Sequence, residues 1–530
     1  MKAHLGLKKL YSVCAQSEAA DTCVSGMMDF WSGRHFCRVG YGGILACGLD
    51  DEWSWYQYPL RLENLPDVPH DGEFTFKLFE QAFSADVQLS NMRFPFFVTT
   101  DNENKMKAAF DGRYEGDKQW KFGGRVGCIE HALSTCVTYC MESESKGHAD
   151  IKLKSELLDK INAVENFYNR REDKAKRLIC AIPEKSGTQP WRSHYHRLKA
   201  AHDNYTVYLQ EENEQVTENI PSLATLKSAL SIASTVKTFF DRVEVEGVTS
   251  HLSFLNYLVL DLSLFNKRTD SSEPSVCRKL CEDLRGQMEG KLWAYCGSPF
   301  AQSAAFLTGI DIPKKIRDCM ARFTRCSSQP QKSFCVSWLQ IAADHDAVVD
   351  NYLDNLYSNC AISENAASTS SYQTTTQKQR FGDMFEDMFT QPDGEDEPEV
   401  QVAKKRKVST TPLLAEIKEF RDSRIPMRDP SSFWKFSRLT RLKVCAKIIF
   451  SVPVSSAGIE RLFSQAGMLL TKQRKRMLPK VMKKLVYIRY EKKYRKWMER
   501  LGVSVSEEEL KKGIEEDGAD GYDAEVPDED

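Results

Sequence analysis

Three acidic residues stand at positions where their carboxylates could work together. Asp29 ends the first predicted strand, and Asp101 ends the predicted strand Phe94–Thr100. Glu460 lies inside the apolar run of a predicted helix, beside Arg461. Carboxylates at the ends of neighbouring strands can converge, and one from a packed helix can complete the site. Mg²⁺ prefers such oxygen ligands, and a pair of metal ions can activate a nucleophile and stabilise the leaving oxygen in phosphodiester chemistry.

Each acid also has a simpler interpretation. Asp29 could be a turn residue, and Asp101 could cap the helix that follows it. Glu460 could pair with an arginine. Spacing alone leaves the metal site and these structural roles open.

The first part of the chain alternates strand-like and helix-like runs, which predicts a mixed sheet flanked by helices. Aromatic and β-branched runs bounded by Gly, Asp and Pro predict strands at Val24–Phe30, His35–Ala46, Glu52–Leu62, Phe94–Thr100 and Lys121–Cys128. Helical spacing predicts helices at Gly72–Val87, at Asn102–Phe110 with Asn102 as the cap, and at about Glu130–Met141.

The pattern then changes to long helical runs, including Ile151–Ile179, Ser222–Val245 and Phe334–Leu356. A polar stretch with few apolar residues follows and predicts a disordered linker, and the acidic C-terminus predicts a disordered tail. We therefore expect a first part of the core at 1–145, a helical domain at 146–362, a linker at 363–412, a C-terminal core part at 413–501 and a tail at 502–530.

The C-terminal part contains two amphipathic segments. After a short strand or turn ended by Pro453, a Ser-Ser start leads into a helix whose apolar face holds Ile459, Leu462, Phe463, Ala466 and Leu470. Further on, an apolar stripe with lysines and arginines on the other faces comprises Leu478, Val481, Leu485 and Ile488. This stripe could belong to the core of the chain or to a self-association surface, and its basic faces could contact phosphates.

Composition bounds the class of protein. The 530 residues carry a net charge of −2, but Arg438–Arg500 is basic and Glu507–Asp530 is acidic. The basic part indicates a nucleic-acid or acidic-partner surface, although solvated helix faces explain it equally well. The 16 cysteines are scattered without a Cys-x-x-Cys pair, which favours buried free thiols in a reducing compartment. We find no signal-peptide pattern and no apolar run that fits a membrane helix.

A compact basic cluster lies within the polar linker. Lys404, Lys405, Arg406 and Lys407 resemble a monopartite nuclear localisation signal, whose side chains must be exposed for an import receptor to bind them. The cluster predicts that the protein is nuclear and that an import receptor is a partner. The alternative is a chance basic patch.

Several motifs together resemble those of hAT-superfamily transposases. The run from Ser455 to Gly467, followed by Arg476-Met-Leu-Pro479, is similar to the hAT C-terminal dimerisation signature. The resemblance extends to three upstream blocks: the strand with Asp29 and Trp31, the run Asp101–Met106, and Cys128-Ile-Glu-His131.

This resemblance implies a fold and a reaction. It implies an α+β ribonuclease-H-like catalytic core, interrupted by a large helical insertion and completed by a helical C-terminal dimerisation region. Asp29, Asp101 and Glu460 would then form an Asp-Asp-Glu triad that binds Mg²⁺ or Mn²⁺ and cleaves and transfers DNA strands. Cys128 and His131 would form a structural or DNA-end element, because two ligands cannot close a tetrahedral zinc site.

The sequence departs from the family pattern at three places. The Arg-Trp block maps to Gln189–Ser193, where Pro190 replaces the arginine and Arg192 follows Trp191. Trp191 could stack on an unpaired DNA base or anchor a buried core. Lys105 replaces the usual asparagine of the second block. No BED-type zinc finger pattern is found, so sequence-specific targeting would need another element or a longer gene product.

Two functions are consistent with these features. The first is a nuclear hAT transposase that dimerises, binds DNA and cuts it with a divalent metal. The second is a catalytically silent descendant that dimerises and binds DNA or protein partners.

Overall fold

In a computed structural model, the chain is a mixed α/β protein that is mostly helical, with one five-stranded sheet in the described part. The described residues are 23–32, 40–50, 52–65, 71–87, 94–111, 122–142, 157–183, 190–323, 329–366, 411–423, 426–427, 429–469, 479–500, 506 and 508.

All five predicted strands are present, with shifted ends, and they form one sheet in the order β3-β2-β1-β4-β5. β1, β2 and β3 are antiparallel, whereas β4 and β5 run parallel to β1. The strands are β1 Cys23–Ser32, β2 Gly40–Leu49, β3 Trp55–Asn64, β4 Phe96–Thr100 and β5 Phe122–Gly127.

Three helices alternate with these strands. α1 spans Gly72–Val87, as the sequence predicts, α2 spans Asn104–Phe110 and α3 spans Ile129–Glu142. The predicted cap of α2 is wrong: Glu103 is the N-cap, without a side-chain hydrogen bond. The side chain of Asn102 instead donates to the carbonyl oxygen of Cys128, at 3.0 Å. The Asn102 amide therefore bonds to the residue that follows β5 and does not cap α2.

The described residues between 159 and 366 form helices and no strand. Ser222 caps the long helix α9 by accepting from the backbone N–H of Thr225. The predicted helix Ile151–Ile179 is broken at 170–171 within its described part. These helices are α4 Asp159–Asn169, α5 Glu172–Ala175, α6 Pro190–Asp203, α7 Tyr205–Leu209, α8 Glu214–Thr217, α9 Leu223–Val243, α10 Leu252–Thr269, α11 Ser275–Lys291, α12 Trp293–Cys296, α13 Pro299–Phe306, α14 Ile312–Phe323 and α15 Gln329–Ala366.

The C-terminal part adds five helices to the described structure. The predicted linker begins slightly too early, because α15 continues to Ala366, and residues 367–410 lie outside the described part. A segment without regular structure, 451–456, connects α18 to α19. The helices are α16 Pro412–Ser423, α17 Pro430–Phe436, α18 Thr440–Phe450, α19 Ala457–Leu469 and α20 Pro479–Arg500.

The two faces of the sheet are covered by different helices. A Cβ added at Gly26 of β1 would lie 3.0 Å from the rings of Phe79 and Phe83, so this face packs against α1. A Cβ added at Gly43 of β2 would lie 2.8 Å from the Phe463 ring, so the opposite face packs against α19. Side chains alternate between the two faces along a strand. The α19 face therefore also holds Asp29, which pairs with Gly43 across the strands.

Within the described residues, no helix is both long enough and apolar enough to cross a lipid bilayer. The cysteines of this part are free thiols, and most are buried.

The absence of a side chain at Gly43 sets the distance between α19 and the sheet. We expect Gly43→Ala to lower the free energy of unfolding by about 1–3 kcal/mol, because the added methyl group overpacks a buried contact. The matched control is Gly286→Ala on α11, where an added Cβ meets nothing within 4 Å. The control should stabilise the helix by about 0.5–1 kcal/mol. Urea unfolding measures both, and equal effects of the two substitutions would contradict the close approach.

Candidate active site

The parallel pairing of β1 and β4 places Asp29 and Asp101 side by side. Their register aligns Met27 with Thr99 and Met28 with Thr100. Asp29 and Asp101 are the next residues along the chain; Asp29 lies three residues before the end of β1, which ends later than predicted, and Asp101 directly follows β4. Neighbouring strands lie about 4.8 Å apart. The two strand-end acids of the sequence analysis are therefore neighbours in the fold.

Helix α19 brings Glu460 to the same face of the sheet. Phe463 packs over Gly43 and stacks on Trp31 of β1, with ring centroids 5.8 Å apart. Glu460 lies one turn before Phe463 on the same side of the helix. The neighbouring Arg461 donates to the backbone carbonyl of Glu244, at 2.8 Å, and so joins α19 to the end of α9.

These acids act on one another through their charges. Burial raises the pKa of Asp29 well above its ordinary value, and the negative charges of Asp101, Glu460 and Glu103 raise it further. The backbone N–H of Phe30 opposes this increase by donating to Asp29 Oδ1 at 2.7 Å. The carboxylates thus share one electrostatic environment in which each disfavours the ionisation of Asp29.

Asp101 lies among groups of both signs. Burial raises its pKa, and the carboxylate of Glu103 raises it further, whereas the positive charges of His131 and Lys105 lower it. The backbone N–H of Glu103 donates to Asp101 Oδ1 at 3.2 Å. Arg125 of β5 donates to the Asp101 carbonyl oxygen at 3.3 Å, which fixes the backbone at the end of β4.

Strand residues hold the segment 451–456 that leads into α19. The hydroxyl of Ser25 on β1 donates to the carbonyl oxygen of Ser451, and the Ser451 hydroxyl accepts from the N–H of Leu49 at 3.1 Å. The hydroxyl of Thr99 on β4 donates to the carbonyl oxygen of Pro453. Because both β1 and β4 bind it, this segment is aligned with the strands that carry the two aspartates.

The start of α3 binds the other half of this segment. The N–H of Ile129 donates to the Val454 carbonyl oxygen at 3.0 Å, and the Ser455 hydroxyl donates to the carboxylate of Glu130 at 2.7 Å. The same hydroxyl accepts from the N–H of Ala457, the first residue of α19, at 3.0 Å. Glu460 is therefore one turn from a helix start that is fixed to the sheet.

Cys128 and His131 have different surroundings. The Cys128 sulfur is fully buried and accepts from the N–H groups of His131 and Ser456, at 3.4 and 3.3 Å. Burial raises the pKa of this thiol to about 12, so it is neutral at pH 7. His131 is exposed, and its charge acts on Asp101. These contacts give Cys128 a structural position and place His131 at the edge of the acidic site.

The donor chemistry of the site suits a hard divalent cation, since its three acids offer carboxylate oxygens on one face of the sheet. In the residues that the structure describes, however, no group of three or more His, Cys, Asp or Glu side chains is placed closely enough to hold a metal ion. The acids thus interact through their charges without forming a complete set of metal ligands.

Glu103 and Gly43 also shape the site, although neither was predicted from the sequence. Glu103 acts electrostatically on both aspartates, and its position two residues after Asp101 was the available signal. Gly43 carries no functional group, and its importance depends on α19, which lies more than 400 residues later. No local pattern indicates such a contact.

Other predicted site residues lie elsewhere. Trp191 and Arg192 are in the first turn of α6, and their side chains are outside the described part, so their DNA contact stays a prediction. The basic cluster at 404–407 and Leu478 also lie outside the described residues.

The predicted dimerisation residues fall into two groups. Ile459, Leu462 and Phe463 are buried against the sheet, so this fold does not present them to a partner. On α20, Val481 and Ile488 are 44% and 41% exposed. Leu485 between them is half-buried, whereas α20 packs against the sheet core through Met482, Val486, Tyr487 and Tyr490.

The raised pKa of Asp29 makes stability depend on pH. Because the folded protein holds this proton more tightly than the unfolded chain, stability falls as pH rises above the ordinary pKa of 3.8. We expect Asp29→Asn to be more stable than wild type at about pH 7 in a chelator, and the difference to vanish near pH 3. Unfolding by urea across this range measures it.

The control for this experiment is Asp270→Asn. Hydrogen bonds from Ser272 lower the pKa of Asp270, so its charge stabilises the fold above pH 3.8. This substitution should therefore destabilise the protein at pH 7. Destabilisation by both substitutions would contradict the electrostatic assignment of Asp29.

Comparison with known proteins gives one match. Residues 411–491 match the model of the hAT family C-terminal dimerisation region, which covers α16 to α19 and most of α20. A comparison with curated proteins finds no match. The resemblance in the sequence is thereby confirmed for this region, and the match supports a hAT-family, transposase-type protein with a C-terminal dimerisation region.

Proposed function

We propose that this protein is a hAT-type transposase that cleaves DNA phosphodiesters with the help of Asp29, Asp101 and Glu460. The observation that carries the proposal is that these acids share one face of the sheet, two from parallel strands and one from α19, and that the charges of Asp101 and Glu460 act on Asp29. A mixed sheet, a helical block and then a helix with the last acid is the order that a ribonuclease-H-like core with an insertion implies. This order supports that fold.

The three carboxylates would hold Mg²⁺ or Mn²⁺ once they came within shared reach of an ion, and the bound metal would supply an activated nucleophile and stabilise the leaving oxygen. The chain itself contributes their positioning. The β1–β4 register fixes the aspartates, and the segment 451–456 fixes the start of the helix that carries Glu460. Phe463 and Trp31 pack beside the site and limit how far α19 can move.

A nicking assay on supercoiled DNA tests this proposal. We expect activity that requires Mg²⁺ or Mn²⁺ and falls at least about a hundredfold in Asp101→Asn, since losing even an outer-shell partner of a metal ligand reduces activity by about 10–100-fold. The matched control is Asp159→Asn, an exposed aspartate at the start of α4, which should retain wild-type activity.

Two outcomes would contradict the catalytic proposal. One is a wild-type protein that assembles but never nicks DNA with either metal. The other is an Asp101→Asn variant as active as the control. The first outcome would support the silent descendant, in which self-association and DNA binding remain without cleavage.

The dimerisation region supports self-association, and we propose that the exposed stripe of α20 contributes to it. Val481, Leu485 and Ile488 follow one another at spacings of four and three residues, so they lie on one side of the helix. The opposite side of α20 packs on the sheet core. The outward stripe is therefore available to a second copy.

We expect Val481→Glu combined with Ile488→Glu to shift the protein towards monomer, because two carboxylates would enter an apolar contact. Sedimentation velocity measures the shift, and thermal unfolding checks that the fold survives. The control is Val259→Glu on α10, a valine that is 47% exposed and lies outside the matched region. A double variant that assembles like wild type would exclude this stripe from the interface.

DNA as a partner and a nuclear location remain proposals. The basic cluster at 404–407 is the sequence feature that supports a nuclear location. The departure at Pro190 is the sequence feature that concerns DNA binding. Fusion of residues 401–410 to a fluorescent protein would show whether the cluster directs nuclear import.

A further inference from the structure

A lysine stands beside the acidic site in a defined position. Lys105, in the first turn of α2, has its ammonium nitrogen 4.6 Å from the ring centroid of Phe30 and 2.6 Å from a carboxylate oxygen of Glu103. Phe30 directly follows Asp29, and the charge of Lys105 acts on Asp101. The ammonium group thus lies near the carboxyl ends of β1 and β4, over a residue adjacent to Asp29 whose ring is on the other face of the sheet.

This side chain is also accessible. It is 29% exposed, and its partner Glu103 is 50% exposed, so the pair lies at the edge of the site and not in the core. A DNA backbone that approaches the site meets the negative charges of Asp29, Asp101, Glu103 and Glu460. An ammonium group at this edge offsets part of that repulsion, and lysine binds phosphate as a compact point charge.

We propose that Lys105 contacts a DNA phosphate next to the acidic site and so positions the strand for the proposed reaction. The inference rests on the proposed DNA-cleaving function and names a substrate contact for it. In the DNA complex the ammonium donates to a non-bridging phosphate oxygen while it stays over the Phe30 ring. Lys105 is where this chain departs from the family's usual asparagine, so the contact is a property of this sequence.

The rival explanation is a purely structural role for the Lys105–Glu103 pair. The two explanations predict different results for Glu103→Gln. If the pair only stabilises α2, Glu103→Gln and Lys105→Gln remove the same interaction and have the same effect. If Lys105 binds phosphate, Glu103→Gln removes a competing negative charge and tightens DNA binding, whereas Lys105→Gln weakens it.

The experiment measures binding of a fluorescein-labelled duplex by anisotropy, in EDTA, from about 50 to about 200 mM salt. We expect Lys105→Gln to reduce the slope of log affinity against log salt by about 0.9, the value for one phosphate contact on B-DNA. Lys105→Arg should retain the slope. The matched control is Lys107→Gln, with the same charge change on the same helix but about 200° around its axis.

Three results would overturn the inference: an unchanged slope in Lys105→Gln, the same change in Lys107→Gln, or equal weakening by Lys105→Gln and Glu103→Gln. Thermal unfolding checks the fold of each variant, and Lys105→Arg keeps the test valid if Lys105→Gln unfolds. The nicking assay on wild type tests the catalytic proposal independently of this binding experiment. An inactive wild type with an intact slope effect would remove catalysis but keep the phosphate contact.

Discussion

The candidate site depends on the hydrogen bonds that hold segment 451–456 against the sheet. Ser25 and Ser451 are 426 positions apart in the chain, yet they are bonded, and Thr99 reaches Pro453 across 354 positions. Without these bonds, the buried backbone groups of an irregular segment would lack partners, which is unfavourable inside a protein. The same bonds fix where α19 begins. They therefore determine whether Glu460 meets the two aspartates or lies elsewhere on the surface.

The site is arranged at the expense of local stability. Asp29 and Asp101 are neighbours in partly or fully buried surroundings, and each has a raised pKa because burial and nearby carboxylates disfavour its charge. A core built only for stability would not place like charges at two adjacent strand ends. Groups whose pKa values are perturbed in this way are concentrated at functional sites, although structural networks also perturb them. Here Asp29 and Asp101 are two of the three acids that the family resemblance selects, and this agreement strengthens the proposal.

Local patterns in the sequence predicted the elements well but could not predict their long-range contacts. The helix Gly72–Val87 and the five strands follow from periodicity and bounding residues, because burial on one face imposes a regular spacing. Asn102 shows the limit of this reasoning. Its type suits a cap, but its amide bonds to Cys128 instead. The neighbouring positions of Asp29 and Asp101 required the pairing of β1 with β4, and the approach of Glu460 required Gly43. Both contacts join distant parts of the chain.

The matched dimerisation region serves two structural purposes, and burial separates them. α19 completes the core, because Ile459 and Leu462 are fully buried against the sheet. α20 uses Met482 and Val486 for the same core while Val481 and Ile488 face outward. A contact between two copies through that outward face would involve the helix that packs beside β3. There the Tyr487 hydroxyl donates to the Leu60 carbonyl oxygen at 3.0 Å. Because α19 and α20 pack on the same sheet, a contact between two copies through α20 would form on the helix next to the one that carries Glu460.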